Sequence, residues 1–290
     1  MNLTISYNSG HIAILSDLHL DSYVRTGSDF VTAHRLEVLF NYSIDALIIA
    51  GDLINGPGSR WKKGLELLSA HIAPERIYVF PGNHDYYGGS LVDDFILGEH
   101  TRSIGAHFVQ KGELRHGDTR FLCCTLWTDF GLLGDAETAM VVAGRVMRDY
   151  SQIRKEIPAS TKDWVYRSDS IGHIEPSDIL AVHRDHRGWL ENKLMAPHPA
   201  GAAGRTVVVT HHGPHLSVAG PVDSIAPAFH SDMTDLIMRF EPAAWFFGHS
   251  HRRLRATVGQ TDVRNVSVGY AGEIGRSESD YLIDASIWES

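Results

Sequence analysis

Seven side chains that can bind a metal ion stand just after short apolar runs of the sequence: Asp17 and His19, Asp52, Asn83, His211, and His249 with His251. They offer nitrogen and oxygen donors without a thiolate, which suits borderline metals such as Mn, Fe, Zn or Co. Seven donors are too many for one catalytic zinc, which usually takes three protein ligands and a water. If Asp52 is shared, they divide into two sets of four around two divalent or trivalent metal ions.

Two such ions, roughly 3.5–4 Å apart, can hold a bridging hydroxide as nucleophile and clamp the oxygens of an in-line phosphoryl displacement. The charges of two divalent ions outweigh those of the two aspartates, Asp17 and Asp52. The site is therefore expected to be cationic, which favours phosphate esters over neutral amides.

Five apolar runs of 3–5 residues must position these side chains: Ile12–Leu15, Ala46–Ala50, Ile77–Phe80, Val207–Val209 and Ala244–Phe247. Runs this short and rich in β-branched or aromatic residues predict buried strands. Helices are predicted between the first three, around Asp29–Tyr42 and Gly64–His71, so the order indicates an open α/β sheet. Because ligands bind at the carboxyl ends of such strands, we expect the seven side chains to share one pocket.

The stretch Thr128–Gly204 interrupts this pattern and is interpreted as a helical insertion, positioned to cap the pocket, within a single domain of residues 1–290. One helix is predicted after Asp135, with apolar positions from Val146 to Ile157, and a second after Ser177. Pro158–Pro176 is predicted to be a loop. Further strands are predicted at Leu254–Val258, Val263–Val268 and Tyr281–Trp288.

Composition narrows the choice of partners. The 26 basic and 35 acidic residues give a net charge of −9, so we do not expect a nucleic-acid partner, and no apolar run predicts a membrane span.

Cys123 and Cys124 are adjacent in a predicted strand and point to opposite faces, which argues against a disulfide and agrees with a cytoplasmic location. Six tryptophans and the apolar helix positions of the insertion are compatible with a homo-oligomer.

The motif set resembles that of the calcineurin-like metallophosphoesterases: Asp17-x-His19, Gly51-Asp52, Gly82-Asn83-His84-Asp85, His211, and Gly248-His249-Ser250-His251. All five motifs stand in the family's order, and the insertion is similar to that of a bacterial subgroup. The resemblance implies an α/β four-layer αββα sandwich. It also implies one metal bound by Asp17, His19, Asp52 and His251, and a second bound by Asp52, Asn83, His211 and His249.

His84 and Asp85 are the predicted catalytic residues. The resemblance implies that His84 hydrogen-bonds the phosphoryl group and assists the leaving oxygen. Asp85 is expected to orient the imidazole and to raise its pKa. A small-molecule phosphodiesterase or phosphomonoesterase is the preferred function. A nuclease and a non-catalytic metal-dependent scaffold are the alternatives.

Two points of register stay open at this stage. His211 is preferred as a ligand because it comes first after its strand, and His212 is the alternative. Asn55 stands where the resembled family often has Gly. The final motif differs as well, since Asn265-Val266-Ser267-Val268-Gly269-Tyr270 replaces Asn-Pro-x-Gly-Tyr, so no substrate contact is assigned to that loop.

Overall fold

The computed structural model describes residues 2–41, 43–155, 172–273 and 275–290. Its strands are β1 (Asn2–Thr4), β2 (His11–Leu15), β3 (Ala46–Ala50), β4 (Ile77–Phe80), β5 (His107–Phe108), β6 (Gly112–His116), β7 (Thr119–Cys124), β8 (Arg205–Thr210), β9 (Ala244–Phe247), β10 (Arg255–Val258), β11 (Thr261–Asn265) and β12 (Ile287–Glu289). Its α-helices are α1 (Leu20–Thr26), α2 (Phe30–Ala33), α3 (Glu37–Asn41), α4 (Ser59–Leu68), α5 (Asp94–Ile104), α6 (Ala136–Val146), α7 (Asp149–Gln152), α8 (Pro176–Met195), α9 (Ala226–Phe229), α10 (Thr234–Phe240) and α11 (Arg276–Ser286).

The strands form two sheets. One has seven strands in the order β1-β6-β7-β8-β9-β11-β10, and the other has five in the order β12-β2-β3-β4-β5. Strands β2, β3 and β4 are parallel neighbours in the smaller sheet, and β8 and β9 are parallel neighbours in the larger one. The five predicted runs therefore supply the central strands of both sheets.

Alternate residues of β7 show how the layers pack. Phe121 and Cys123 face the core between the two sheets, whereas Leu122 and Cys124 face a second core formed with α8 and α10. On the far side, Trp61 of α4 is completely buried in the core of the smaller sheet. The predicted four-layer αββα sandwich is confirmed. Both cysteines are free and buried, on opposite faces of β7 as expected.

Some predicted elements differ from the structure. The strand predicted at Tyr281–Trp288 is wrong, because α11 extends to Ser286 and only the three residues of β12 are extended. Buried Leu282 and Ala285 are three positions apart, as on one face of a helix. The helix predicted around Asp29–Tyr42 is instead the pair α2 and α3, separated at Arg35, whose φ of 57° is left-handed.

The first helix of the insertion is shorter than predicted. Asp135 caps α6 by accepting the backbone N–H of Thr138, but the chain becomes extended at Met147 and α7 follows as a separate turn. The single helix with apolar positions from Val146 to Ile157 is therefore wrong. Ile157 and most of the loop predicted at Pro158–Pro176 lie outside the described residues.

The second predicted helix is present as α8. Its Leu190 and Leu194 pack against the outer face of the larger sheet, so this part of the insertion completes a helix layer. The insertion itself, with its limits at 128 and 204, stays a prediction. Within the described ranges, no helix is long and apolar enough to cross a membrane.

Candidate metal centre

The two sheets meet where the parallel strands end. The backbone N–H of Ser16, which follows β2, donates to the carbonyl of Val266 at 3.0 Å, and the N–H of Val268 donates back to Ser16 at 2.8 Å. Beyond this junction lie the residues that follow each strand. Asp17, Asp52 and Asn83 extend from the smaller sheet, and His211 and His249 from the larger one. The predicted ligands thus converge from both sheets on one edge.

The backbone at this edge is left-handed at most of the predicted ligands: φ is 56° at Asp17, 40° at His19, 56° at Asp52, 65° at His249 and 51° at His251. Such values are uncommon for residues with a Cβ and concentrate at functional sites. The ligand loops also approach each other too closely for larger residues. A Cβ at Gly82 would lie 2.2 Å from Asp52 Oδ1, and one at Gly248 2.0 Å from Ser16 Oγ.

One group of ligand atoms surrounds His19. Its Nε2 lies 3.1 Å from His251 Nε2, 3.7 Å from Asp52 Oδ2 and 4.0 Å from Asp17 Oδ1. His251 Nε2 in turn lies 3.3 Å from Asp17 Oδ1. These are the four residues expected to bind the first metal.

A second group surrounds His211. Its Nε2 lies 3.1 Å from Asn83 Oδ1 and 3.5 Å from Asp52 Oδ1, and its Nδ1 is 2.9 Å from the carbonyl of Ala50. His249 completes a cluster with Asp52 and His211 whose ligand atoms all lie within 4.8 Å of one another. Asp52 therefore turns one oxygen toward each group, as a bridging ligand does.

This geometry favours His211 over His212 as the ligand. The ring of His212 packs on His249 at a centroid distance of 4.1 Å and on Trp127 at 5.2 Å. None of the acidic and imidazole clusters found among the described residues includes His212. The ring of His212 therefore packs against the predicted ligand His249.

The donor set fits a metal ion. Asp17 Oδ1 and His249 Nε2 are buried without a hydrogen-bond partner, and the same is true of His19 Nδ1. A buried polar atom without a partner raises the free energy of the folded state. A bound cation would give the carboxylate oxygen and an imidazole lone pair a partner directly. The residues could therefore hold the implied ions.

Burial and neighbouring charges shift the pKa values of these groups. Burial and the neighbouring Asp17 and Asp85 carboxylates raise the pKa of Asp52 well above its usual range. Burial and adjacent imidazoles hold the pKa values of His19 and His249 well below the ordinary one, so both rings are neutral and keep a lone pair. Burial would also lower the pKa of His251, but Asp17 and Glu273 outweigh it and raise it to about 9.

His84 lies beside the ligands but has a different partner from the one expected. Its Nδ1 is 2.7 Å from Asn55 Oδ1, and the Asn55 amide donates to Asp21 Oδ2 at 2.7 Å. Asp85 instead accepts the backbone N–H groups of Asp52, Ile54 and Gly82 at 2.8–3.0 Å.

The expected orientation of His84 by Asp85 is therefore wrong, and Asn55 makes that contact. The expected raising of the pKa of His84 is also wrong. Burial, with His211 as the next cause, lowers the pKa of His84 to about 3. Burial raises the pKa of Asp85 to about 7, although its three backbone donors oppose this shift.

Three further residues at the site are absent from the sequence prediction. The Tyr270 ring stacks on His19 at a centroid distance of 4.2 Å, and Glu273 Oε2 is 2.9 Å from His251 Nδ1. Asp149 accepts a hydrogen bond from the Asn83 amide at 2.7 Å. For Tyr270 a signal existed, since it ends the segment that partly matches the resembled family's final motif. Asp149 lies outside the five metal-binding motifs, in the segment Met147-Arg148-Asp149-Tyr150 of the insertion that resembles a bacterial subgroup, and Glu273 lies outside every motif.

A cavity of about 520 Å³ opens over the ligands. Its lining combines ligand residues with aromatic and apolar side chains and one arginine from the α6–α7 link: Asp52, Asn83, His84, Tyr87, Val146, Met147, Arg148, Phe229, His249, Ser250, His251, Tyr270 and Glu273. Among the described residues of the insertion, only 146–148 line it. The rest of the predicted cap lies elsewhere or outside the described ranges.

The fold has two packed sheets, and their parallel strands end at one edge, where carboxylate and imidazole side chains lie together. This arrangement defines the class expected from the motifs, the metal-dependent phosphoesterases. The family model described as calcineurin-like phosphoesterase matches residues 10–253, and the chain belongs to this family. It is therefore a phosphoester hydrolase of a metal-dependent family.

Solved structures share the fold. The phosphopantetheinyl hydrolase PptH from Mycobacterium tuberculosis is 18% identical, with a TM-score of 0.61 over 92% of this chain and 90% of that one. The protein TT1561 of Thermus thermophilus is 11% identical, with a TM-score of 0.48 over 91% of this chain and 90% of that one. No curated protein sequence matches significantly. At 18% identity the likeness to PptH shows the fold alone.

Proposed function

We propose that this chain hydrolyses phosphoester bonds of small molecules, as a diesterase or monoesterase, with two metal ions held by the seven predicted ligands. The observation that carries the proposal is the position of Asp52. Its Oδ1 lies 3.5 Å from His211 Nε2, while its Oδ2 lies 3.7 Å from His19 Nε2. A carboxylate shared between two nitrogen-rich clusters supports a dinuclear centre, with Mn, Fe, Zn or Co as the suited metals.

When bound, the two ions supply Lewis-acid activation of water and neutralise the developing charge of the phosphoryl group. The protein's own contribution is a defined proton position. Because the Asn55 amide nitrogen is engaged by Asp21, its oxygen faces His84 and must accept from Nδ1–H. His84 Nε2 then points to the ligand side, 4.0 Å from Asp52 Oδ2.

At that position His84 hydrogen-bonds the substrate and gives a proton to the leaving oxygen. Burial keeps the ring neutral in the free site, with the pKa lowered to about 3. An anionic phosphoester beside Nε2 favours the charged ring, since opposite charge stabilises it. The ring therefore takes up a proton from solvent when the substrate binds, and Nε2–H passes that proton to the leaving oxygen.

The shape and charge of the cavity support a small substrate. Arg148 is the only lysine or arginine among the described residues that line it, whereas a nucleic acid needs a track of basic side chains. Tyr87, Phe229 and Tyr270 offer aromatic walls for the leaving group. The buried free thiols of β7 agree with a reducing, cytoplasmic compartment.

The test is hydrolysis of chromogenic esters by protein stripped of metal and reloaded with Mn²⁺, Fe²⁺, Zn²⁺ or Co²⁺. Bis(p-nitrophenyl) phosphate and p-nitrophenyl phosphate distinguish diesterase from monoesterase activity. We expect turnover with at least one metal and binding of two ions per chain. Binding of a single ion, or no turnover with any metal and ester, would contradict the proposal.

The variant His84→Ala should lower kcat by about 10²–10⁴-fold, the usual contribution of a proton-transferring group. Its metal stoichiometry should be unchanged, because His84 is not one of the seven ligands. His100→Ala, on α5 and outside the cavity lining, is the matched control and should retain full activity. Equal activity of the two variants would remove His84 from the mechanism.

A further inference from the structure

Asp149 is the first residue of α7 and is buried, with 5% of its surface exposed. Its Oδ1 accepts two hydrogen bonds, from Asn83 Nδ2 at 2.7 Å and from the Tyr87 hydroxyl at 3.0 Å. The Tyr87 hydroxyl also lies 3.3 Å from Asn83 Nδ2. A carboxylate oxygen that belongs to the insertion therefore touches the amide of a predicted metal ligand 66 residues away along the chain.

The orientation of that amide matters because its two ends differ. Asn83 Oδ1 points to His211 Nε2 at 3.1 Å, where a metal would accept the oxygen lone pair. A rotation of 180° would place the NH₂ group there instead, and an NH₂ group cannot bind a cation. Because Asp149 Oδ1 accepts from the Asn83 NH₂ group, a rotated amide would place its oxygen against another acceptor oxygen.

We propose that Asp149 is a positioning residue for the metal centre, which fixes the Asn83 amide so that its oxygen faces the His211 side. This inference rests on the proposed dinuclear function. Partners behind metal ligands orient them and raise their affinity, and losing one typically weakens metal binding by about 10–100-fold.

The contact also explains how the insertion reaches the cavity. Met147 and Arg148 directly precede Asp149 and line the opening, whereas α8 packs on the outer face of the larger sheet. Asp149 therefore ties the cavity wall formed by residues 146–148 to a ligand of the metal site. A buried oxygen atom of the predicted insertion thus contacts a predicted ligand of the metal centre.

The test is a titration of metal-free protein with Mn²⁺ by calorimetry, which does not depend on turnover. For the wild type we expect two ions per chain. Asp149→Ala should weaken one of the two binding events by about 10–100-fold. The other event, at Asp17, His19 and His251, should change much less.

Asp149→Asn is the discriminating variant, because an amide oxygen in place of Oδ1 can still accept from both Asn83 and Tyr87. It should bind Mn²⁺ nearly as the wild type does. If it is as weak as Asp149→Ala, the negative charge and not the acceptor geometry is responsible, and the proposal fails. Asp149→Leu fills the same volume without an acceptor and replaces the alanine variant if that one does not fold.

A double-mutant cycle separates positioning from general destabilisation. In an Asn83→Ala background, Asp149→Ala should have no further effect on Mn²⁺ affinity, because it acts only through the amide. Additive losses would overturn the proposal. Two ions in the wild type together with unchanged binding in Asp149→Ala would refute the positioning role and leave the proposed function intact, whereas fewer ions in the wild type would refute the function itself.

Discussion

The contact between Asn55 and His84 gives the sharpest prediction about catalysis. Asn55→Ala removes the oxygen that lies 2.7 Å from His84 Nδ1 and frees the ring to rotate. A hydrogen bond to a neutral group contributes about 0.5–1.5 kcal/mol net, and one to a charged group about 1.5–3 kcal/mol. Without this partner the ring must be oriented at the moment of proton transfer, so a cost of about 1–1.5 kcal/mol, the upper part of the range for a neutral contact, bears on the barrier.

That cost corresponds to a loss of about 5–15-fold in kcat. The assay compares kcat and KM for the best ester with the metal that supports turnover, alongside the Mn²⁺ stoichiometry. We expect KM to change little and both ions to remain, because Asn55 touches no predicted ligand atom. Asn192→Ala, on the exposed part of α8, is the matched control.

Two results would refute the reasoning. If Asn55→Ala has the kcat of the wild type, the hydrogen bond does not act in the transition state. If it is as impaired as His84→Ala while metal is also lost, Asn55 supports the fold of the loop and not the imidazole. A larger loss of kcat in a folded, metal-loaded Asp85→Ala variant would restore the orientation role to Asp85.

Two other residues give independent predictions. Arg148→Met should raise KM for p-nitrophenyl phosphate by about 5–30-fold with little change in kcat, because one charge-assisted contact of about 1–2 kcal/mol is lost at an exposed rim. Steady-state kinetics measures this effect, with Arg145→Met, outside the cavity, as the control. Equal KM values for the two variants would contradict the prediction. Asp45 accepts backbone N–H groups of Asn8, Ser9 and Gly10 and lies 2.8 Å from His116 Nε2. Burial would raise its pKa, but these donors lower it overall, so its stabilisation is present above the usual pKa of 3.8 and is lost as the pH falls below it. Asp45→Asn should lower the free energy of unfolding at pH 7 by about 1–3 kcal/mol, with the gap narrowing below about pH 4 in urea denaturation, and a gap independent of pH would refute this.

The sequence predicted the ligand edge well because its signals are local. Each strand is a short run of apolar residues, and Asp17 and Asp52, two positions after Leu15 and Ala50, must lie at the carboxyl ends of their strands. Parallel pairing then brings these ends together. No motif spacing encodes the contact of Asp149 with Asn83, because it depends on where the chain turns between α6 and α7. The turn at Met147 was itself missed, since the apolar positions continue the helical period beyond it.

The partners of Asp85 show where the family resemblance led to a wrong side-chain contact. The residues His84 and Asp85 are adjacent in the sequence, and adjacency suggests that they touch. In the structure their side chains diverge, and the contact passes to Asn55, the residue that departs from the resembled pattern. A residue noted only as a departure from the family pattern therefore makes the side-chain contact that the resemblance assigned to Asp85.

Three buried carboxylates that follow the strands, Asp17, Asp52 and Asp85, can be told apart by how their oxygens are used. Asp17 Oδ2 accepts the backbone N–H of His249, and Asp52 Oδ1 accepts that of His84, so each aspartate braces a neighbouring loop. Asp17 Oδ1 nevertheless has no hydrogen-bond partner, and Asp52 Oδ2 lies among imidazoles. Both oxygens of Asp85 accept hydrogen bonds from backbone N–H groups. Free oxygens at a buried edge are what a cation requires, which supports Asp17 and Asp52 as predicted ligands, whereas Asp85 braces the loop of Asp52 against the loop that carries Asn83.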